Sequence, residues 1–172
     1  AHTPVEEVRS LLHEQLKGWS GATNILINPM GNFIHGSLLA DTGVSGRKII
    51  YETYGSKIPH GGGAMSGKDP YRVDRWGAYL ARKMALTALQ HYDVNRLIVE
   101  LAFSPGSKGI LGINVDTFGS HSYKREQEMA HYLLKHFPID VQSVVKEFDL
   151  ARPIYYESTK IGAFGNPAPW DI

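Results

Sequence analysis

The chain has 172 residues and no cysteine, and its 18 Lys+Arg against 17 Asp+Glu give a net charge of +1. Hydrophobic residues make up 42% and charged residues 20%, an ordinary globular balance that excludes a disordered chain. The near-neutral charge argues against binding nucleic acid or an anionic membrane through bulk electrostatics. Lack of cysteine excludes disulfides, Cys-ligated zinc and a thiol nucleophile, and no apolar run is long enough to span a bilayer. A cysteine-free composition fits a reducing compartment, and a cytoplasmic location is the expectation.

Residues 4–17 are expected to form a helix, with Thr3 as N-cap, Pro4 at the first position and Glu6 and Glu7 in the first turn. Val5, Val8, Leu12 and Leu16 make its apolar stripe, and Gly18 stops it. Two short strands are expected at 24–28 and 32–36, joined by the turn Pro29-Met30-Gly31. A Gly-rich stretch follows over 36–69, interrupted by an ordered piece at 47–54. The strongest helix signal covers 70–91; it opens with the pair Asp69-Pro70 and has Val73, Trp76, Leu80, Met84 and Ala88 as its buried stripe. Strands are expected at 96–103 and 110–118, a helix at 122–136 ended by Pro138, and a last strand at 141–148. The Pro-bearing tail 151–172 reads as irregular with one helical turn. This order predicts an α+β fold, a mixed sheet with helices packed on one face.

Three stretches carry chemistry. Asp41 to Lys48 sets glycines beside Arg47 and Lys48, which reads either as an oxyanion site or as a surface turn with two solvated cations. His60 to Asp69 holds three consecutive glycines, whose ordering makes sense where backbone N–H groups face a ligand or two backbones touch; the other reading is a hairpin tip. It is not a nucleotide-binding P-loop, because Asp69 stands where Ser or Thr must follow Lys68. Lys68 to Arg75 sits at a loop-to-helix junction. There the helix start favours anions, Arg72 and Arg75 are spaced to share a face, and Asp74 suits a hard cation. The alternative is a capped helix with first-turn salt bridges. Taken together, Arg47, Lys48, Lys68, Arg72 and Arg75 beside Asp41 and Asp74 form the cationic nest with carboxylates that a polyphosphate–Mg²⁺ ligand needs. His121, His131 and His136 match no metal-binding spacing and read as surface.

The runs Ile27 to Phe33, Asp41 to Gly55 and above all His60 to Arg75 closely resemble those of S-adenosylmethionine synthetases, the methionine adenosyltransferases. The resemblance continues through Thr117-Phe118-Gly119, Arg152 to Tyr155 and the stretch from Gly165 to Trp170. It implies that methionine sulfur attacks C5′ of ATP and expels tripolyphosphate, which is then hydrolysed. It also implies roles for single residues. Arg47, Lys48 and Lys68 would hold the phosphates, and Phe33, Asp41 and Ala64 would contact the nucleotide. Asp41 and Arg72 would lie on the methionine side, with Asp41, Arg47 and Lys68 serving the chemistry. Asp74 would bind one of two Mg²⁺ ions per complete site, and Ser66 would belong to a K⁺ site.

The chain departs from the family pattern in places. Arg72 stands for the usual Lys, Asn32 for a basic residue and Met65 for Phe, and the 36–41 loop and the 101–106 strand end are rewritten. The family's G-H-P-D-K and GAGDQG motifs do not occur. Residues 1–28 are therefore expected to be the end of the family's central domain and 29–172 its C-terminal-type domain. The expected function is the C-terminal part of a methionine adenosyltransferase. It would act on ATP and methionine and be completed in trans by an N-terminal half, by further copies of itself, or by both. The alternative is a catalytically inactive regulatory or scaffolding homologue.

Overall fold

The computed structural model describes residues 3–18, 25–32, 34–39, 48–104 and 106–171. It divides into two compact units, Ala1–Val44 with Ser104–Ser107, and Ser45–Phe103 with Lys108–Ile172.

In the first unit, helix α1 spans Val5–Leu16, close to the expected bounds, with Pro4 rather than Thr3 in the capping position. None of its residues is buried. Arg9 ties it down, with Nε donating to the Ile27 carbonyl and Nη2 to the Asn28 carbonyl, each at 2.9 Å. The turn expected at 29–31 forms, and Gly31 N–H donates to the Asn28 carbonyl at 2.9 Å. The strands expected at 24–28 and 32–36 are not found among the described residues, which are irregular there apart from a 3₁₀ turn at Ser37–Leu39.

The second unit holds most of the candidate site residues. A one-turn helix, α2 (Ile49–Glu52), falls in the ordered piece at 47–54. Helix α3 (Val73–His91) is the spine. It starts later than expected because Asp69 is spent on a turn, accepting from the Tyr71 N–H at 2.8 Å. Trp76, Leu80, Met84 and Ala88 are buried as the four-residue spacing requires, whereas Val73 is exposed. Strands β1 (Ile98–Ala102) and β2 (Gly112–Asp116) pair antiparallel, with Val99 opposite Val115 and Leu101 opposite Ile113. Those four side chains face the core, and Glu100 and Asn114 face solvent. The expected mixed sheet is thus an antiparallel pair among the described residues. Helix α3 packs on β1, and α4 (Tyr123–His136) packs on β2.

The strand expected at 141–148 is instead helix α5 (Val141–Glu147). Asp140 caps it, accepting from the Ser143 N–H at 3.0 Å. Val144, Val145 and Phe148 then turn one face into the core. The tail makes the short helix α6 (Tyr155–Ser158) and returns to α3. Trp170 is fully buried and stacks on Tyr79 with ring centroids 3.6 Å apart. Arg82 of α3 pairs with Asp171 at 2.7 Å.

Candidate polyphosphate site

The loop before α3 brings four expected features together. Gly62 N–H donates to His60 Nδ1 at 2.8 Å and bends the chain at a φ of 87°. The next residue, Gly63, lies flush against the Asp74 carboxyl, so any side chain here would overlap Asp74 Oδ1. Met65 is buried and anchors the loop, and a turn through Ser66 and Gly67 returns the Lys68 N–H to the Met65 carbonyl at 3.4 Å. Lys68 Nζ then reaches Asp74 Oδ2 at 2.5 Å, with both side chains about one-third exposed. The result is an ammonium and a carboxylate, both open to solvent, held beside a glycine backbone at the start of a 19-residue helix.

The other expected residues are placed differently. Arg72 is largely exposed and sits 3.6 Å from Asp69. Arg75, expected to share its face, points the other way and is buried. Its guanidinium donates to the Tyr79 hydroxyl at 3.1 Å and lies over the Tyr155 ring. The cationic nest therefore loses Arg75, because Arg72 is the extended residue ahead of α3 and does not share its helical spacing, while Tyr79 and Tyr155 take the Arg75 guanidinium. Lys48 is exposed at the head of α2 and makes no ion pair with a described residue. Ala64 is half-buried in the loop and Ser66 is exposed. Phe33, Asp41 and Arg47 lie outside the described residues.

A cavity of about 540 Å³ opens from Gly61, Gly63 and Asp74 and continues between α3 and β1 past Ala78 and Phe103. It has a charged mouth and an apolar body. The sequence sets Lys68 and Asp74 in one stretch but does not show that they pair, nor does it show this cavity, whose lining comes from segments far apart in the chain.

A family model described as S-adenosylmethionine synthetase, C-terminal domain, matches residues 35–172. The chain belongs to the S-adenosylmethionine synthetase family. Among its curated relatives, the S-adenosylmethionine synthase of Thermus thermophilus is 43% identical over 152 residues, 88% of this chain and 38% of that protein. That of Deinococcus radiodurans is 40% identical over 162 residues, 94% of this chain and 38% of that protein. A solved structure described as an unusual S-adenosylmethionine synthetase from Campylobacter jejuni aligns with 98% of this chain and 47% of its own, at a TM-score of 0.66 and 27% identity. The chain thus spans less than two-fifths of the length of these curated synthetases. The whole Gly-rich loop and α3 lie inside the matched stretch. No helix among the described residues is long and apolar enough to cross a membrane.

Proposed function

We propose that this chain is the phosphate-handling part of a methionine adenosyltransferase, which makes S-adenosylmethionine from ATP and methionine. The observation that supports this best is the Lys68–Asp74 pair against Gly63, inside the stretch that matches the synthetase family. In the reaction a methionine sulfur lone pair forms the S–C5′ bond. The C5′–O5′ bond breaks, and its electrons leave on the tripolyphosphate oxygen. No proton moves in that step, so no general base is needed. What the step needs is alignment and stabilisation of a highly charged leaving group.

Lys68 supplies a cation at the phosphates, joined in this proposal by Arg47 and Lys48. In this proposal Asp41 and Arg72 orient methionine, while Phe33 and Ala64 bound the nucleoside, roles that the likeness to the family implies. Asp74 offers hard carboxylate oxygens half-open to solvent, and one carboxylate together with substrate phosphates is an ordinary Mg²⁺ donor set. When bound there, Mg²⁺ would screen the charge of the leaving group. Ser66 presents a single exposed hydroxyl to the proposed K⁺ site. The groups of the family's N-terminal motifs come from elsewhere in the complete enzyme, in a cytoplasmic assembly with a complementary half, further copies of this chain, or both. Hydrolysis of the tripolyphosphate follows at the same site.

Calorimetry of tripolyphosphate binding to the complete assembly, with Mg²⁺ present, tests this reading. Charge-assisted phosphate contacts contribute about 1.5–3 kcal/mol each, so Lys68→Ala should weaken binding roughly ten- to a hundredfold. Arg125, paired with Glu128 on the exposed face of α4, provides the control, and Arg125→Ala should change little. Equal binding by the two variants would remove the phosphate site and leave the inactive scaffolding homologue as the better reading.

A further inference from the structure

One charged group in the second unit is buried without a counter-charge among the described residues. Arg75, in the first turn of α3, is 6% exposed. Its Nη1 donates to Tyr79 and its guanidinium carbon lies 4.2 Å from the Tyr155 ring centroid. Nε is out of solvent contact and donates to nothing. Among the described residues no carboxylate lies within ion-pair distance of it. Burial pushes the Tyr79 and Tyr155 hydroxyls up, against the pull of Arg75, so both phenols stay neutral at physiological pH. Neither supplies the missing negative charge. A guanidinium cannot shed its proton, so burying it without an anion is costly.

Arg75 also lines a cavity of about 400 Å³. Ser66, Glu52 and Lys160 share its wall. Lys160 is already paired with Glu157 at 2.7 Å, which leaves the Arg75 guanidinium as the unpaired cation on this wall among the described residues. Glu52 is the one carboxylate residue on the wall. Its main chain is held in place by the Ala163 N–H at 2.8 Å, and its charge is not spent on Arg75. Lys68 and Asp74 do not line this cavity.

We propose that the cavity floored by Arg75 is an oxyanion site, which takes a small phosphate or carboxylate group onto the guanidinium. Glu52 opposes the anion and sets a modest affinity. The site stands apart from Lys68 and does not rest on the adenosyltransferase reading.

The test is a titration of the full chain with inorganic phosphate, and separately with acetate, without Mg²⁺, followed by the side-chain Nε–H resonances of arginine in ¹⁵N-labelled protein. The Arg75 signal, assigned by its loss in Arg75→Lys, should shift saturably. It should do so equally in Lys68→Ala. Arg75→Lys keeps the charge but loses the planar fork, and should weaken binding about tenfold or more. Glu52→Gln removes a like charge and should tighten binding roughly three- to tenfold. A merely structural arginine predicts no such gain. A response to phosphate alone assigns the site to free phosphate, and a response to acetate as well assigns it to carboxylates. An Arg75 signal unmoved by either anion would overturn the proposal, as would loss of the shift in Lys68→Ala. If Arg75→Lys does not fold, Glu52→Gln decides, and unchanged affinity there also rejects the site.

Discussion

An ammonium and a carboxylate that neutralise each other make a weak trap for a lone polyanion. Lys68 and Asp74 are in that state, 2.5 Å apart. A polyphosphate that arrives with a divalent cation offers each of them a new partner, whereas free tripolyphosphate must compete with Asp74 for Lys68. Asp74→Asn should therefore move the Mg²⁺ requirement to higher concentration and leave metal-free binding unchanged or slightly tighter; weaker metal-free binding in calorimetry would contradict this account. Gly63 controls the same pair sterically. A methyl group there overlaps the Asp74 carboxyl, but that side chain is half-open and can swing aside. Gly63→Ala should therefore cost about 1 kcal/mol or less in stability, a shift in melting temperature of roughly 2–4 °C. It should nonetheless weaken Mg²⁺-dependent tripolyphosphate binding severalfold, because Asp74 no longer holds its place. A variant with full affinity would show that the position of Asp74 is unimportant.

Residue spacing made some elements legible and concealed others. Helices α1, α3 and α4 show in the sequence because their apolar residues recur at three- and four-residue intervals. Over 141–148 the β-branched valines suggest a strand, yet Val141, Val144, Val145 and Phe148 also fit a helical face and Asp140 is a good cap. Tertiary packing against α3 settles that choice. That Lys68 and Asp74 share one junction was readable because loop and helix start are adjacent in sequence, but their ion pair was not. The burial of Arg75 was not, since it depends on Tyr155 arriving from the far end of the chain. Element α4 offers a pH test. Glu126 accepts from the Thr117 N–H at 2.8 Å and from its hydroxyl at 2.7 Å, latching α4 to the end of β2. These bonds, the backbone one first, hold its carboxyl below the ordinary glutamate range. The unfolded chain then takes up the proton before the folded one does. The latch is at full strength above the ordinary glutamate pKa and is lost as pH falls through the lower folded-state value. Glu126→Gln should flatten the acid limb of a plot of melting temperature against pH, and an unchanged limb would show that other carboxylates govern acid unfolding.

The two units differ in how well their apolar groups are covered. The second has a continuous core around α3, whereas the first buries no residue of α1 and leaves Met30, Ile34 and Leu38 largely in solvent. Uncovered apolar surface of this kind marks a contact surface. In this account it is covered by a second copy of the chain or by the complementary part of the enzyme. Sedimentation of the purified chain should show self-association at micromolar concentration. A stable monomer there would mean the exposed groups need no partner.

The clasp between α3 and the tail also bears on how the protein is made. Arg82 and Asp171 are 89 residues apart in sequence, and Trp170 is the lid over Tyr79. At roughly 5–20 residues per second, about 4–18 s of synthesis separate the spine from its clasp. During that interval the apolar face of α3 has emerged but the part of its cover that the tail supplies has not. The second unit cannot complete its core until Trp170 and Asp171 have emerged. Until then the nascent chain leaves the Tyr79 ring uncovered and is a natural client for chaperones.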